Sequence, residues 1–504
     1  MSERSFKPIE ILPLIWVRMC VAVAAYFWCD GYLENDKWRF TFVEPVFLFK
    51  YVWFDWVDRP PGDGMYYVFV AGKIASVGLL VGFLTRLSAL TIACTIAYVL
   101  LVERAIYVNH YYLLACISTW LALLPCDRSV SIDSKLGIAS RSNLMPAWVL
   151  WLLRFQLGIP YFFGAFAKLN GDWLAGQPGD LMLRGRFGLA GIGDYDTLPE
   201  TWQNVLLNSF IWGGFLYDLL IVPALLWKRT RLIAILLCLT FHLTNAFSLS
   251  IGVFPWFMLA TMFIFFPARW LADRWSIAVA TRLGDDLFQD DSNGRRSPNA
   301  GNLPMGRALY GLAAVYVLVQ LVLPIRPALY AGDANWNERG HRFAWRMMLR
   351  NKTALLHFHV SDPNSDAFVI VPSSVVVSAM QSRRVDYHPE LIHQTALQVA
   401  KTADQLGVKD AEVRPLALVC LNGREPRLLI DPETDLAAIP FGESIEEHVL
   451  NDAGPLCWPA WRVPLEEWWL QLDLPPRFDG LEGRTPEELR AFLRSLDTKK
   501  PAGG

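Results

Sequence analysis

The chain has 504 residues, of which 53% are hydrophobic and 19% charged, and its mean hydropathy is +0.28. A soluble protein of this length rarely reads so apolar, and charge is sparse in the first half and common in the last third, which predicts a membrane domain followed by a soluble one. A formal net charge of −2 without any basic tract gives no reason to expect nucleic acid as a partner, and eight cysteines without a C-x-x-C pair offer no metal or redox motif.

A bilayer core takes about 20 mostly apolar residues per helix. Runs of that kind near 9–29, 64–84, 87–103, 108–125, 146–168, 206–227, 231–249, 251–267 and 305–325 predict about nine spans. The first run lacks a small-residue cleavage site and is expected to stay as an anchor. Lys and Arg in short loops set orientation. Arg4 and Lys7 precede the first span, and Arg128, Lys135 and Arg141 follow the fourth. Lys228, Arg229 and Arg231 follow the sixth, and Arg269, Arg274, Arg282, Arg295 and Arg296 follow the eighth. With nine spans all these loops share one side, expected to be cytoplasmic, and everything after 325 is exoplasmic. The outer loop 31–63 carries Lys37, Arg39, Lys50 and Arg59, offset by acids.

The polar stretch 285–302 reads as a flexible loop. Beyond 325 the period changes: "FAWRMMLRN", "ALLHFHV", "AFVIVP", "PLALVCLN" and "PRLLID" read as strands, and 389–407 as an amphipathic helix ending at Gly407. The expected fold is thus a polytopic α-helical membrane domain (1–325), a mainly β exoplasmic domain with one helix (326–480) and a tail (481–504) with a short helix. Cys20, Cys94, Cys116 and Cys238 sit in apolar runs as small hydrophobes. Any disulfide is expected among Cys29, Cys420 and Cys457.

Ionisable groups inside a membrane are functional candidates, because inserting a charge costs roughly 3 kcal/mol or more. Arg18, His110, Arg154, Lys168, Asp218 and His242 qualify. The topology puts Lys168 at the outer end of span five, His110 at the outer start of span four, and His242 and Asn245 in the outer part of span seven, all at similar depth. Each has a plainer reading. Arg18 and Arg154 suit a structural role, paired with Asp218 or helix carbonyls, as well as a substrate role, and His242 alone suits a packing role. Lys168, after the aromatic run of "YFFGAFAKLNGDW", could snorkel to the interface. His357 and His359 share a strand face, but no third metal ligand is near in sequence, so no metal is expected.

"LLRFQLGIPYFFGAFAKLNGDW" resembles the active-site lysine segment of the vitamin K-dependent γ-glutamyl carboxylases. "VERAIYVNHYYLL" resembles that family's Asn-His element, and "GGFLYDLL" and "FHLTNAFSLSIGVFPWFML" follow in the family's order. "FAWRMM", "QSRRVDYHPELI" and "LLIDPETDL" extend the likeness across most of 10–445. The chain resembles short, bacterial-like members carrying a horizontally transferred transmembrane domain, for which a bacterial inner membrane is expected. The resemblance implies a catalytic lysine at Lys168 and an active-site histidine at His110, beside Asn109. Arg154, Asp218, His242 and Asn245 match polar positions expected to bind substrate or quinol.

The family couples oxygenation of reduced vitamin K, or a related menaquinol, to carboxylation of peptide glutamate by carbon dioxide. A glutamate γ-proton is too weakly acidic for any side chain, so the family uses a strong base that arises when oxygen adds to the deprotonated quinol. Lysine starts this only as a neutral amine, which Phe162, Phe163 and Phe166 favour by excluding water. The implied partners are a membrane lipid quinone and an exported glutamate-containing peptide. The chain stops soon after its β domain, so recognition of an animal-type propeptide is not expected, and 385–400 has no cysteine where animal enzymes place one half of a disulfide, so the likeness is weaker on the substrate side than on the quinol side. Two alternatives remain: quinol oxygenation without peptide carboxylation, and a non-catalytic membrane scaffold. A scaffold needs neither Lys168 nor His110.

Overall fold

The computed structural model describes residues 3–190, 194–248, 251–270, 273, 304–365 and 367–478. The expected loop 285–302 falls outside the described residues, and so does the tail 481–504. A helix stands at each expected span: α1 (Leu12–Leu33), α2 (Gly64–Val81), α3 (Thr85–Val102), α4 (Asn109–Leu123), α5 (Ala147–Ala167), α6 (Glu200–Leu226), α7 (Arg231–Ser248), α8 (Phe254–Thr261) and α9 (Pro304–Val322). Among the described residues, six helices are long and apolar enough to cross a membrane, while Arg231–Phe247 and Phe254–Phe265 are apolar but shorter. Their ends follow local chemistry. Pro13 opens α1 where its missing N–H costs nothing, and α2 stops at Gly82, whose φ of 71° suits glycine.

The buried arginine Arg18 spends its guanidinium on carbonyls, donating to Cys126 O at 2.8 Å and Val130 O at 2.6 Å. It therefore ties α1 to the turn after α4. Asp218 is not its partner.

The C-terminal domain is built on an antiparallel sheet of β1 (Lys352–Ser361), β2 (Phe368–Pro372), β3 (Glu412–Leu421) and β4 (Arg427–Leu428), in the order β2-β1-β3-β4. Strand alternation sends Leu356, Phe358 and Val360 of β1, with Val413, Ala417 and Val419 of β3, to one face. Helix α10 (Pro389–Gln405) covers that face with Leu391, Ile392, Ala396 and Val399. Leu416, Leu418 and Cys420 point the other way, against Trp468 and Phe478. The loop after α1 is stitched into the same domain. Phe49 joins its core, and the Gln394 amide brackets Lys50, accepting from its N–H at 2.9 Å and donating to its C=O at 3.0 Å.

One expected strand is absent. The stretch "FAWRMMLRN", 343–351, is an irregular loop with Phe343, Trp345 and Met348 in the left-handed region, at φ of 61°, 55° and 60°. Such residues turn the chain out of pleated geometry. Their side chains serve the membrane helices: Trp345 lies 5.2 Å from Tyr112 between ring centroids, and Leu349 packs with Trp173. A buried ion cluster pins the loop, with Glu338 accepting from Lys352 Nζ at 2.7 Å and Arg350 Nη2 at 2.8 Å. Burial pulls the Lys352 ammonium down to about 8, against the attraction of Glu338. Likewise "PRLLID" forms a strand only at Arg427–Leu428, with Ile430 bridging singly to Val449. All eight cysteines are free, and Cys29 is buried in α1.

Candidate active site

Lys168 closes α5, its N–H bonded back to Gly164 O at 3.3 Å and Ala165 O at 3.0 Å. The chain then turns sharply. Asn170 caps the short helix Gly171–Leu174, accepting from Trp173 N–H at 3.0 Å, while its amide donates to Ala167 O at 2.8 Å. This corner keeps the lysine from snorkelling. Lys168 is only 6% exposed, its Nζ forms an ion pair with Asp218 Oδ2 of α6, and it lies 5.2 Å from the Trp173 ring centroid. Two glycines make the approach possible. A Cβ at Gly164 would come within 3.0 Å of Asp218 Oδ2, and one at Gly214 within 3.2 Å of the Trp173 ring.

Two turns before Lys168, on the same helix face, the Tyr161 hydroxyl shares a 2.8 Å hydrogen bond with His242 Nε2. Tyr217, beside Asp218, meets Tyr161 edge-on at 6.0 Å and stacks on Phe241 at 4.1 Å. Phe254 of α8 joins the histidines, its ring lying 6.4 Å from His242 and 5.4 Å from His110. Lys168, Asp218, His242 and His110 therefore belong to one connected cluster.

The remaining candidates stand apart. Asn109 accepts from Tyr107 Oη at 3.1 Å and donates to Arg346 O at 3.3 Å, so it faces the irregular loop rather than the lysine. Asn245 Oδ1 accepts a long contact, 3.5 Å, from Arg186 Nη2. Arg154 donates to Ile264 O at 2.9 Å and Phe266 O at 2.7 Å, roughly 21 Å along α5 from Lys168 at the rise of a helix. It takes up helix-end carbonyls and does not join the cluster. Sequence reasoning missed Tyr161, Tyr217, Trp173 and the 343–349 loop. The one available signal was Tyr161, whose spacing from Lys168 puts both on one helix face.

Among the described residues the buried His242 Nδ1 has no hydrogen-bond partner, and Lys168 Nζ donates to Asp218 Oδ2. Phe162 and Phe166, 48% and 51% exposed on the outside of α5, offer adjacent rings 4.8 Å apart between centroids. Among the described residues no group of three or more His, Cys, Asp or Glu is arranged to hold a metal.

Two family models match the chain: the HTTM domain over residues 6–270, and the vitamin K-dependent gamma-carboxylase lumenal domain over residues 306–449. The first alone spans more than half of the 504 residues. No solved structure matches. A membrane protein with a carboxylase lumenal domain and a buried lysine–aspartate couple between its helices, this chain belongs to the vitamin K-dependent gamma-glutamyl carboxylase family.

Proposed function

We propose that the protein oxidises a membrane naphthoquinol of the vitamin K type to its epoxide and uses that reaction to carboxylate glutamate on an exported peptide. The observation that carries this reading is the Lys168–Asp218 couple, buried at the end of an aromatic run within a chain of this family. In such a couple, passing the proton from Nζ to the carboxylate turns an ion pair into an amine and an acid. Net charge is zero in both forms, so the amine becomes available without leaving a lone charge in apolar surroundings. Lys168 then accepts the quinol hydroxyl proton. The quinol supplies, with oxygen, the base that no side chain can be, and the balance is quinol, oxygen, carbon dioxide and glutamate to epoxide, water and γ-carboxyglutamate.

His242 is held by Tyr161, and its other ring nitrogen has no hydrogen-bond partner among the described residues, which suits it to orient a quinol oxygen. His110 sits across Phe254, and its neighbour Asn109 contacts the loop of the C-terminal domain, which suits it to the glutamate side. The deciding assay gives purified protein vitamin K hydroquinone, oxygen, labelled bicarbonate and a glutamate-rich peptide, with epoxide and fixed label measured separately. Both products are expected. Epoxide without label would restrict the activity to quinol oxygenation, and neither product would overturn the reading.

The reading needs residues 326–504 outside the cytoplasm, where a peptide from outside meets a lipid quinol. A reporter active only outside the cytoplasm, inserted after Gly407 in the turn that follows α10, is expected to be active. Activity of a cytoplasm-only reporter there would overturn the orientation.

A further inference from the structure

The turn that follows Lys168 is gripped from the C-terminal domain. Asp172 lies in the first turn of helix Gly171–Leu174, and Arg424 takes both of its carboxylate oxygens, Nη1 to Oδ2 and Nη2 to Oδ1, each at 2.6 Å. Asn422 Nδ2 adds a third donor to Oδ2 at 2.8 Å. All three side chains are buried.

The gripping residues are themselves fixed. Asn422 sits just past β3 in the left-handed region, at φ 55°, exchanging hydrogen bonds with Asn351: its N–H donates at 2.8 Å and its Oδ1 accepts at 2.7 Å. Arg424 Nε donates to Gly454 O at 2.9 Å. On the membrane side, Asp172 C=O accepts from Gln177 N–H at 2.8 Å, so the carboxylate hangs from a closed turn. The next residue is Trp173, whose indole donates to Ile211 O at 3.2 Å and whose ring lies beside the Lys168 ammonium. A rigid path thus runs from the end of β3 through Asp172 to the ring that flanks the lysine.

A buried ion pair is an inefficient way to stabilise a contact, because desolvation consumes most of its attraction. What a bidentate Arg–carboxylate pair provides is direction, with two parallel bonds fixing distance and angle together. We propose that Asp172, Arg424 and Asn422 form a positioning clamp. Through it the C-terminal domain sets the geometry of Lys168 and serves quinol oxidation as well as any peptide. None of the three touches the reacting atoms; they act through Trp173 and the Lys168 backbone. The effect on turnover rests on the function proposed above, whereas the clamp itself does not.

The test uses full-length Arg424→Ala and Asp172→Asn, with hydrogen–deuterium exchange and vitamin K hydroquinone epoxidation measured on the same folded preparations. Amides of residues 169–177 are expected to exchange faster in Arg424→Ala, with α2 and α3 unchanged. The turnover number for epoxidation is expected to fall about 100-fold, as a misplacement near 1 Å can cost, while KM for the quinol stays within about twofold. Arg424→Lys should recover only part of the loss, since a point charge lacks the fork. Unchanged exchange at 169–177 would overturn the clamp even if the wild-type protein showed no turnover. Faster exchange with an unaltered turnover number in an active enzyme would confine the clamp to structure and overturn its positioning role.

Discussion

Lys168→Ala is expected to abolish the proposed vitamin K epoxidation, and with it any carboxylation coupled to it, in protein that still folds and inserts. General base catalysis contributes about 10²–10⁴-fold, and here the base starts the sequence, so little background is expected. Lys168→Arg separates the base from the mere cation. A guanidinium pairs well with Asp218 and would keep α5 fastened to α6, but it stays protonated and cannot accept the quinol proton. The arginine variant should therefore be as stable as wild type in a melting measurement and as inactive as alanine in epoxide assay. A small primary amine at high concentration should restore part of the activity of Lys168→Ala and none of Lys168→Arg, whose side chain fills the space. Near-normal epoxide formation by Lys168→Arg would remove Lys168 from catalysis.

The architecture was legible where one residue's environment depends on its near neighbours. Apolar runs located the helices, alternation located β1, β2 and β3, and Gly407 marked the end of α10. Pattern reading failed at 343–351, because alternation there is shared between two domains instead of two faces of a sheet: Trp345 goes to the membrane helices while Arg346 donates to Asn335 Oδ1 at 2.8 Å. The partner of Lys168 was not legible either. A chain can show that Lys168 and Asp218 are polar in apolar runs, but 50 residues separate them, and only the packing that Gly164 and Gly214 permit brings them together. From sequence, Arg18 and Arg154 had Asp218, helix carbonyls and a substrate all open as partners. They went to carbonyls because the turn after α4 and the end of α8 leave acceptors unsatisfied. The clamp is the extreme case, joining residues 252 apart that carry no shared motif.

Asp218 should prove nearly as sensitive as Lys168. Asp218→Asn keeps the shape of the side chain, and its amide oxygen can still accept from Nζ, but it cannot take the proton away. If Asp218 only fastened two helices, the amide would cost little activity. As the other half of a proton-sharing couple, its loss should lower epoxidation by about 100-fold or more at unchanged quinol KM. Asp218→Ala removes the acceptor as well and strands the Lys168 cation, so it should also destabilise, since breaking a buried pair costs about 3–5 kcal/mol. The exchanged pair, Lys168→Asp with Asp218→Lys, tells the two roles apart. Opposite charges still meet between α5 and α6, so the melting temperature should recover most of what Asp218→Ala loses. The amine, however, now projects from α6, away from the corner at Asn170 and the face that carries Tyr161. Recovery of stability without epoxide formation is the expected result. An exchanged enzyme that makes epoxide at the wild-type rate would mean that the couple is a fastener and that the quinol proton leaves by another route.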